Sequence, residues 1–268
     1  MRVRLPVVLI AVIALVLGAC SGNGGAGTAP AVAPLTIFAA ASLSRVIDDV
    51  TTAYEAAVPG SSLTISTDSS AALATQITEG APADLFLSAD TTNPQKLVDA
   101  GLADGDPTVF ASNKLTIITP TDDPGGLTTP FDLSKDDVRV IAAGDEVPIT
   151  KYATQLVEKL AAAVGAPADF AAAYAANVAS KEDNVAAVRT KIELGEGDAA
   201  IVYVTDAAAS DKVATIEVPD DVNVPASYAG VVVKASSNVA AAQAFLDWLA
   251  GADGQAVLAT YGFLPPAS

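Results

Sequence analysis

Apolar positions along the chain fall into short runs that alternate with helical stripes. Leu35-Thr36-Ile37-Phe38-Ala39 reads as a β-strand ending at Ala40-Ala41-Ser42. Leu43, Val46, Ile47, Val50 and Tyr54 then recur at helical spacing until Pro59-Gly60 stops the helix. A second unit pairs a strand at Leu63–Ser66 with a helix opened by Ser69-Ser70 that runs through Leu73 and Ile77 to Gly80. A third pairs Asp84–Ser88 with a helix from Asn93 to Ala100. Strand runs are predicted at Lys114–Thr119, Arg139–Ala143, Ala199–Val204, Ala214–Val218 and Ala229–Val233. Helices are predicted from Pro148 to Gly165, over Pro167–Ala175, over Lys181–Leu194, and from Val239 through Leu249. The alternation implies an α/β fold whose βαβ units build a mostly parallel sheet. Phe245 and Trp248, on or beside the stripe of the last of these helices, are read as core.

The pattern ahead of residue 35 is of another kind. Arg2 and Arg4 precede an apolar run from Leu5 to Leu17, and small residues then flank Cys20, the one cysteine of the chain. This is a secretory leader with a small-residue cleavage site; its apolar run is shorter than the about 20 residues of a membrane span. The segment resembles the lipobox of bacterial lipoproteins, in which the cysteine is lipidated and becomes the mature N-terminus. Residues 1–19 are thus expected to be a signal peptide, Cys20 a lipidation site, and residues 20–34 a flexible tether rich in Gly and Ala.

Composition narrows the chemistry. The chain has no histidine, and a lipidated Cys20 leaves no free thiol, which excludes His-based triads, cysteine nucleophiles and thiolate or imidazole metal sites. No Ser-x-x-Lys motif offers a hydrolase nucleophile. The net charge is −17, and loss of Arg2 and Arg4 with the leader makes it two units more negative. Such a surface repels nucleic acid. It also means that any anionic ligand must be held by short-range, preorganised dipoles.

Those dipoles are expected where strands meet helices. Ser42, Ser69 and Ser70 stand at strand-to-helix junctions, where N-capping explains each of them singly. Two such junctions in consecutive βαβ units share the carboxyl edge of one sheet, the place where open α/β sheets bind ligands. Free N–H groups and positive helix ends face that crevice and suit an anion. Val185 and Ile149, although apolar, lie in first helical turns where the backbone N–H lacks an intrahelical acceptor. Tyr203 ends a buried strand and either offers a hydroxyl donor or packs with that hydroxyl in solvent.

At these residues the chain resembles the substrate-binding proteins of bacterial molybdate ABC transporters. The matching pieces are Phe38-Ala39-Ala40-Ala41-Ser42-Leu43, Ser69-Ser70 with Leu73-Ala74-Thr75-Gln76-Ile77, and Gly80-Ala81-Pro82-Ala83-Asp84-Leu85-Phe86. Gly144-Asp145 with Val147-Pro148, Tyr152-Ala153, Glu182-Asp183-Asn184-Val185, Ile201-Val202-Tyr203 with Thr205-Asp206-Ala207, and Tyr261-Gly262-Phe263 follow in consistent order.

The resemblance implies a type II, Venus-flytrap fold of two lobes with two crossovers. One lobe comprises 35–111 plus 226–268 and the other 112–225. It further implies a binding protein rather than an enzyme, without a cofactor or a metal beyond the oxyanion. Molybdate or tungstate is held by the Ser42 and Ser70 hydroxyls, the Ile149 and Val185 N–H groups and the Tyr203 hydroxyl. The implied partner is the membrane permease of an ABC importer, and the protein is a lipid-anchored monomer on the extracytoplasmic face of the cell membrane. Sulfate is the alternative oxyanion. Where the family often has Ala-Gly after Val-Pro, this chain has Ile149-Thr150-Lys151. That leaves a bulky Ile to narrow the cleft, a hydroxyl at Thr150 and a charge at Lys151.

Overall fold

The computed structural model describes residues 32–122 and 125–266. The leader, Cys20 and most of the tether lie outside them. Strand β1 (Pro34–Ala40) leads through one 3-10 turn, Ala41–Leu43, to helix α1 (Ile47–Ala57). Then come β2 (Ser62–Asp68), α2 (Ser70–Thr78), β3 (Leu85–Ser88), α3 (Thr92–Asp99) and the long β4 (Ala103–Asn113). The middle of the chain supplies β5 (Leu115–Pro120), β6 (Val140–Ala143), α4 (Pro148–Ala161), α5 (Phe170–Asn177), β7 (Val178–Glu182), α6 (Val185–Glu193), β8 (Ala200–Tyr203), α7 (Val204–Ala207) and β9 (Val213–Ile216). β10 (Ala226–Val233), α8 (Val239–Ala250) and α9 (Ala252–Thr260) close it.

Two sheet systems give the molecule its two lobes. The first has the order β2-β1-β3-β10-β4, with β1 parallel to both β2 and β3. β10 runs antiparallel to β3 and β4. The second combines the antiparallel β8-β5-β9 with the parallel pair β6-β7, joined by a bridge between Val140 and Ala199. The expectation of a mostly parallel sheet therefore holds for the βαβ units alone. Strands that return from the other lobe enter antiparallel, because no crossover helix precedes them in their own sheet.

The chain crosses between sheets after β4 and again before β10. The Asn223 side chain ties the two crossings together, accepting from Leu115 N–H at 3.1 Å and donating to Leu115 C=O at 2.9 Å.

Sequence patterning and burial agree where strands are central. Leu85–Ser88 is buried throughout, as a strand covered on both faces requires. At the sheet edge, β2 alternates in exposure. Tyr54 of α1 meets Phe245 and Trp248 of α8 at ring-centroid distances of 4.8 and 5.2 Å, so both aromatics do serve the core. Helix α9 sits so tightly against the end of α8 that a Cβ on Gly254 would lie 2.5 Å from Leu249 Cα, Leu249 O and Trp248 O. These are backbone atoms that cannot rotate away. Gly254→Ala is expected to destabilise the fold by about 1–3 kcal/mol despite alanine's better helix propensity. A lowered thermal midpoint checks this.

Candidate functional site

Each site element is placed by what ends a strand and starts a helix. Ser42 was expected as an N-cap, and here the structure differs. It lies in the 3-10 turn, and α1 begins only at Ile47 with Val46 before it. Its Oγ instead accepts a hydrogen bond from Tyr228 Oη at 2.9 Å. Ser70 is the first residue of α2, and its Oγ accepts from the Ala89 N–H at 3.0 Å. In both serines a donor occupies one of the oxygen's two lone pairs, and the hydroxyl proton stays free to donate into the space between the lobes.

In the other lobe, Pro148 opens α4 with Ile149 as its second residue. α6 begins at Val185 rather than near Lys181, because Lys181 and Glu182 belong to β7. Asn184 caps α6, its Oδ1 accepting from Ala187 N–H at 3.0 Å, while its Nδ2 reaches Asp68 Oδ1 of the first lobe at 3.3 Å. Tyr203 ends β8 at 1% exposure, and its Oη has no hydrogen-bond partner. Burial foremost, then the neighbouring Tyr228 and Tyr152 and the Asp206 and Asp90 carboxyls, raise its pKa well above the usual phenol value. The phenol therefore stays protonated and can donate.

All five candidate residues line one small, half-open space of ≈ 10 Å³, together with Ala40, Ala41, Ser69, Ala89, Val147, Pro148 and Asn184. That volume is about what a single water needs. No charged side chain is in its wall. The first turns of α2, α4 and α6 converge there, so three positive helix ends and their free N–H groups face the same point. The lobes touch around it. Besides the Asn184–Asp68 contact, Lys151 Nζ donates to Thr92 Oγ1 at 2.8 Å, and Tyr152 Oη pairs with the Ser227 backbone.

The Ile149-Thr150-Lys151 departure resolves into three separate roles. Ile149 is buried and stands in the wall of this space and of a second, ≈ 210 Å³ cavity inside its own lobe. Thr150 turns back, its hydroxyl within 3.0 Å of Ala143 C=O and 2.8 Å of Gly144 C=O, and does not face the anion space. Lys151 holds the lobes together instead of charging the cleft.

Sequence reasoning missed the groups that orient the donors. Tyr228 packs between Tyr203 and Phe263, at centroid distances of 5.7 and 5.4 Å. Its hydroxyl accepts at 3.5 Å from Asn113 Nδ2, which also donates to Thr205 Oγ1 across the crossover at 2.8 Å. Asp206, one turn beyond Tyr203, is buried with Oδ2 unpartnered. Its Oδ1 lies 3.9 Å from Arg189 Nη1. Burial pushes its pKa up to about 7 against the opposing pull of Arg189 and of a Tyr203 backbone hydrogen bond.

Comparison with known proteins gives this geometry a family. Residues 35–264 match the model of the bacterial extracellular solute-binding protein family. The molybdate-binding protein ModA of Mycobacterium tuberculosis is 32% identical over 255 residues, covering 93% of each chain. Among solved structures, the periplasmic molybdate-binding protein of Azotobacter vinelandii superposes with a TM-score of 0.73 at 22% identity, over 87% of this chain and all of that one. The sulfate-binding protein SubI of M. tuberculosis gives 0.77 at 22% identity, over 87% and 86%. At that identity both structures speak for the two-lobed fold alone. The chain belongs to the bacterial extracellular solute-binding proteins, of the ModA kind.

Proposed function

We propose that this protein is the extracytoplasmic receptor of an ABC importer and captures molybdate, with tungstate as an equivalent ligand. The observation that carries the reading is the state of the two serines. With Tyr228 and the Ala89 N–H donating into Ser42 and Ser70 from behind, these hydroxyls face the site as donors. They stand with the Ile149 and Val185 N–H groups and the Tyr203 hydroxyl in a wall free of charge. A fully deprotonated tetrahedral dianion can accept from every donor of such a set, whereas a hydrogen-bearing oxyanion gives up one accepting oxygen to its own proton. Hydrogen bonds to a charged acceptor contribute about 1.5–3 kcal/mol each. Five of them suffice for micromolar binding, about −8 kcal/mol, after the costs of association. The relatives named for molybdate support the same ligand.

In this reading the lobes comprise 35–111 plus 226–268 and 112–225, and the anion draws them together because each contributes donors that the other cannot replace. The closed form is what the permease recognises. The leader 1–19 is removed, Cys20 carries the lipid that anchors the protein to the membrane, and residues 20–34 form its tether.

The small volume of the site favours sulfate as the second reading. A thermal-shift panel of molybdate, tungstate, sulfate and phosphate on the mature protein decides between them. Molybdate and tungstate are expected to stabilise more strongly than phosphate, and a larger shift with sulfate would transfer the assignment to it. Ser42→Ala is expected to reduce the molybdate response and, because it leaves the buried Tyr228 hydroxyl without its acceptor, to cost the unliganded protein about 1–3 kcal/mol without unfolding it.

A further inference from the structure

Among the described residues, two buried hydroxyls have no hydrogen-bond partner, Ser69 Oγ and Tyr203 Oη, and both line the anion space. Tyr203 is already a candidate donor; Ser69 is not. Ser69 occupies the N-cap position of α2, where a serine ordinarily accepts from a first-turn N–H, yet its side chain makes no capping bond. Its own backbone N–H is taken by Asp68 Oδ1 at 2.7 Å. Its hydroxyl is thus excused from every local duty, is only 4% exposed, and sits opposite a tyrosine of the other lobe with the same deficit. Buried polar groups in folded proteins nearly always find partners, so a shared defect in one small space calls for a common one.

We propose that Ser69 is a further oxyanion donor, forming with Tyr203 a pair across the two lobes that only a bound ion completes. This rests on the anion-receptor reading above and adds to it. Ser42 and Ser70 are held ready by donors behind them, whereas Ser69 and Tyr203 are satisfied solely by cargo. They therefore link occupancy to closure more directly than the two prearranged serines do. Ser69 also keeps both lone pairs of its oxygen open, where Ser42 and Ser70 each have one occupied.

Ser69→Ala in the mature full-length protein tests this. Calorimetry with sodium molybdate is expected to show affinity reduced about tenfold or more, the usual worth of a hydrogen bond to a charged acceptor. The unliganded melting temperature should stay equal or rise, because an unpaired buried hydroxyl has been removed. A variant that binds molybdate as tightly as the parent, while Ser42→Ala binds it weakly, overturns the role of Ser69 and leaves the receptor assignment standing. An unliganded midpoint that falls marks the hydroxyl as structural and overturns it too. A parent protein that binds neither molybdate, tungstate nor sulfate overturns both proposals together.

Discussion

Replacing Tyr203 with phenylalanine is expected to weaken molybdate binding by about 10–150-fold while leaving the unliganded protein as stable as before or more so. The ring is the structural part of Tyr203. It is 1% exposed and stacks edge-on between Tyr152 and Tyr228 at 6.3 and 5.7 Å, and phenylalanine keeps those contacts. The hydroxyl contributes nothing to the unliganded fold, having no partner, and a buried donor without one costs about 1–3 kcal/mol. In the proposed complex the same group donates to a dianion, worth about 1.5–3 kcal/mol, which gives the stated loss of affinity. Calorimetry and a melting curve on one preparation read both halves. Unchanged affinity removes Tyr203 from the site, and an unliganded midpoint that drops means the hydroxyl has a structural partner after all.

The other large effect concerns Asp206 and pH. Its carboxyl ordinarily titrates at 3.8 and is raised to about 7 in the fold, with burial as the main cause. Between those values the folded protein holds a proton that the unfolded chain has released. Stability therefore falls as pH rises across that window, by about 1.4 kcal/mol per unit. The loss is absent below about pH 4 and complete above about 7, where it is on the order of 4 kcal/mol. Asp206→Asn removes it. The variant should match the parent near pH 4 and exceed it at pH 8, where Arg189 still keeps Glu193 as a partner at 2.9 Å. Other carboxylates titrate alike in both proteins, so the difference between two denaturation series isolates this one group. Parallel curves across the whole range would show that Asp206 is ionised in the fold at neutral pH.

Much of this architecture is written locally. The β3 and β8 runs are almost wholly apolar, β1 and β5 are apolar runs broken only by threonine, and the helix stripes of α1, α4 and α8 stand at the expected spacing. The starts of α2 and α4 announce themselves by Ser69-Ser70 and Pro148. What escaped lies elsewhere. β4 begins with Ala103-Asp104-Gly105-Asp106-Pro107, a polar stretch with a proline that only an edge strand tolerates, and nothing nearby says that it is an edge. β7 is five residues whose Lys181 and Glu182 read as the beginning of the next helix. α9 follows Gly251, which looks like a final stop.

The site divides the same way. That the five candidate residues gather around one space followed from strand ends and helix starts together with the family resemblance. Which adjacent serine is satisfied and which is not did not, because Ser70 depends on Ala89 at the end of β3 and Ser42 on Tyr228, 186 positions away. Contacts of that span are fixed by the packing of whole elements and leave no mark in a local pattern.

A wall without a fixed positive group has an electrical consequence. If the cleft takes in a divalent ion as proposed, no charged side chain of its wall cancels it, and a molecule already strongly acidic becomes more so. Full and empty receptors then differ in migration toward the anode, and a native gel counts occupancy without any label.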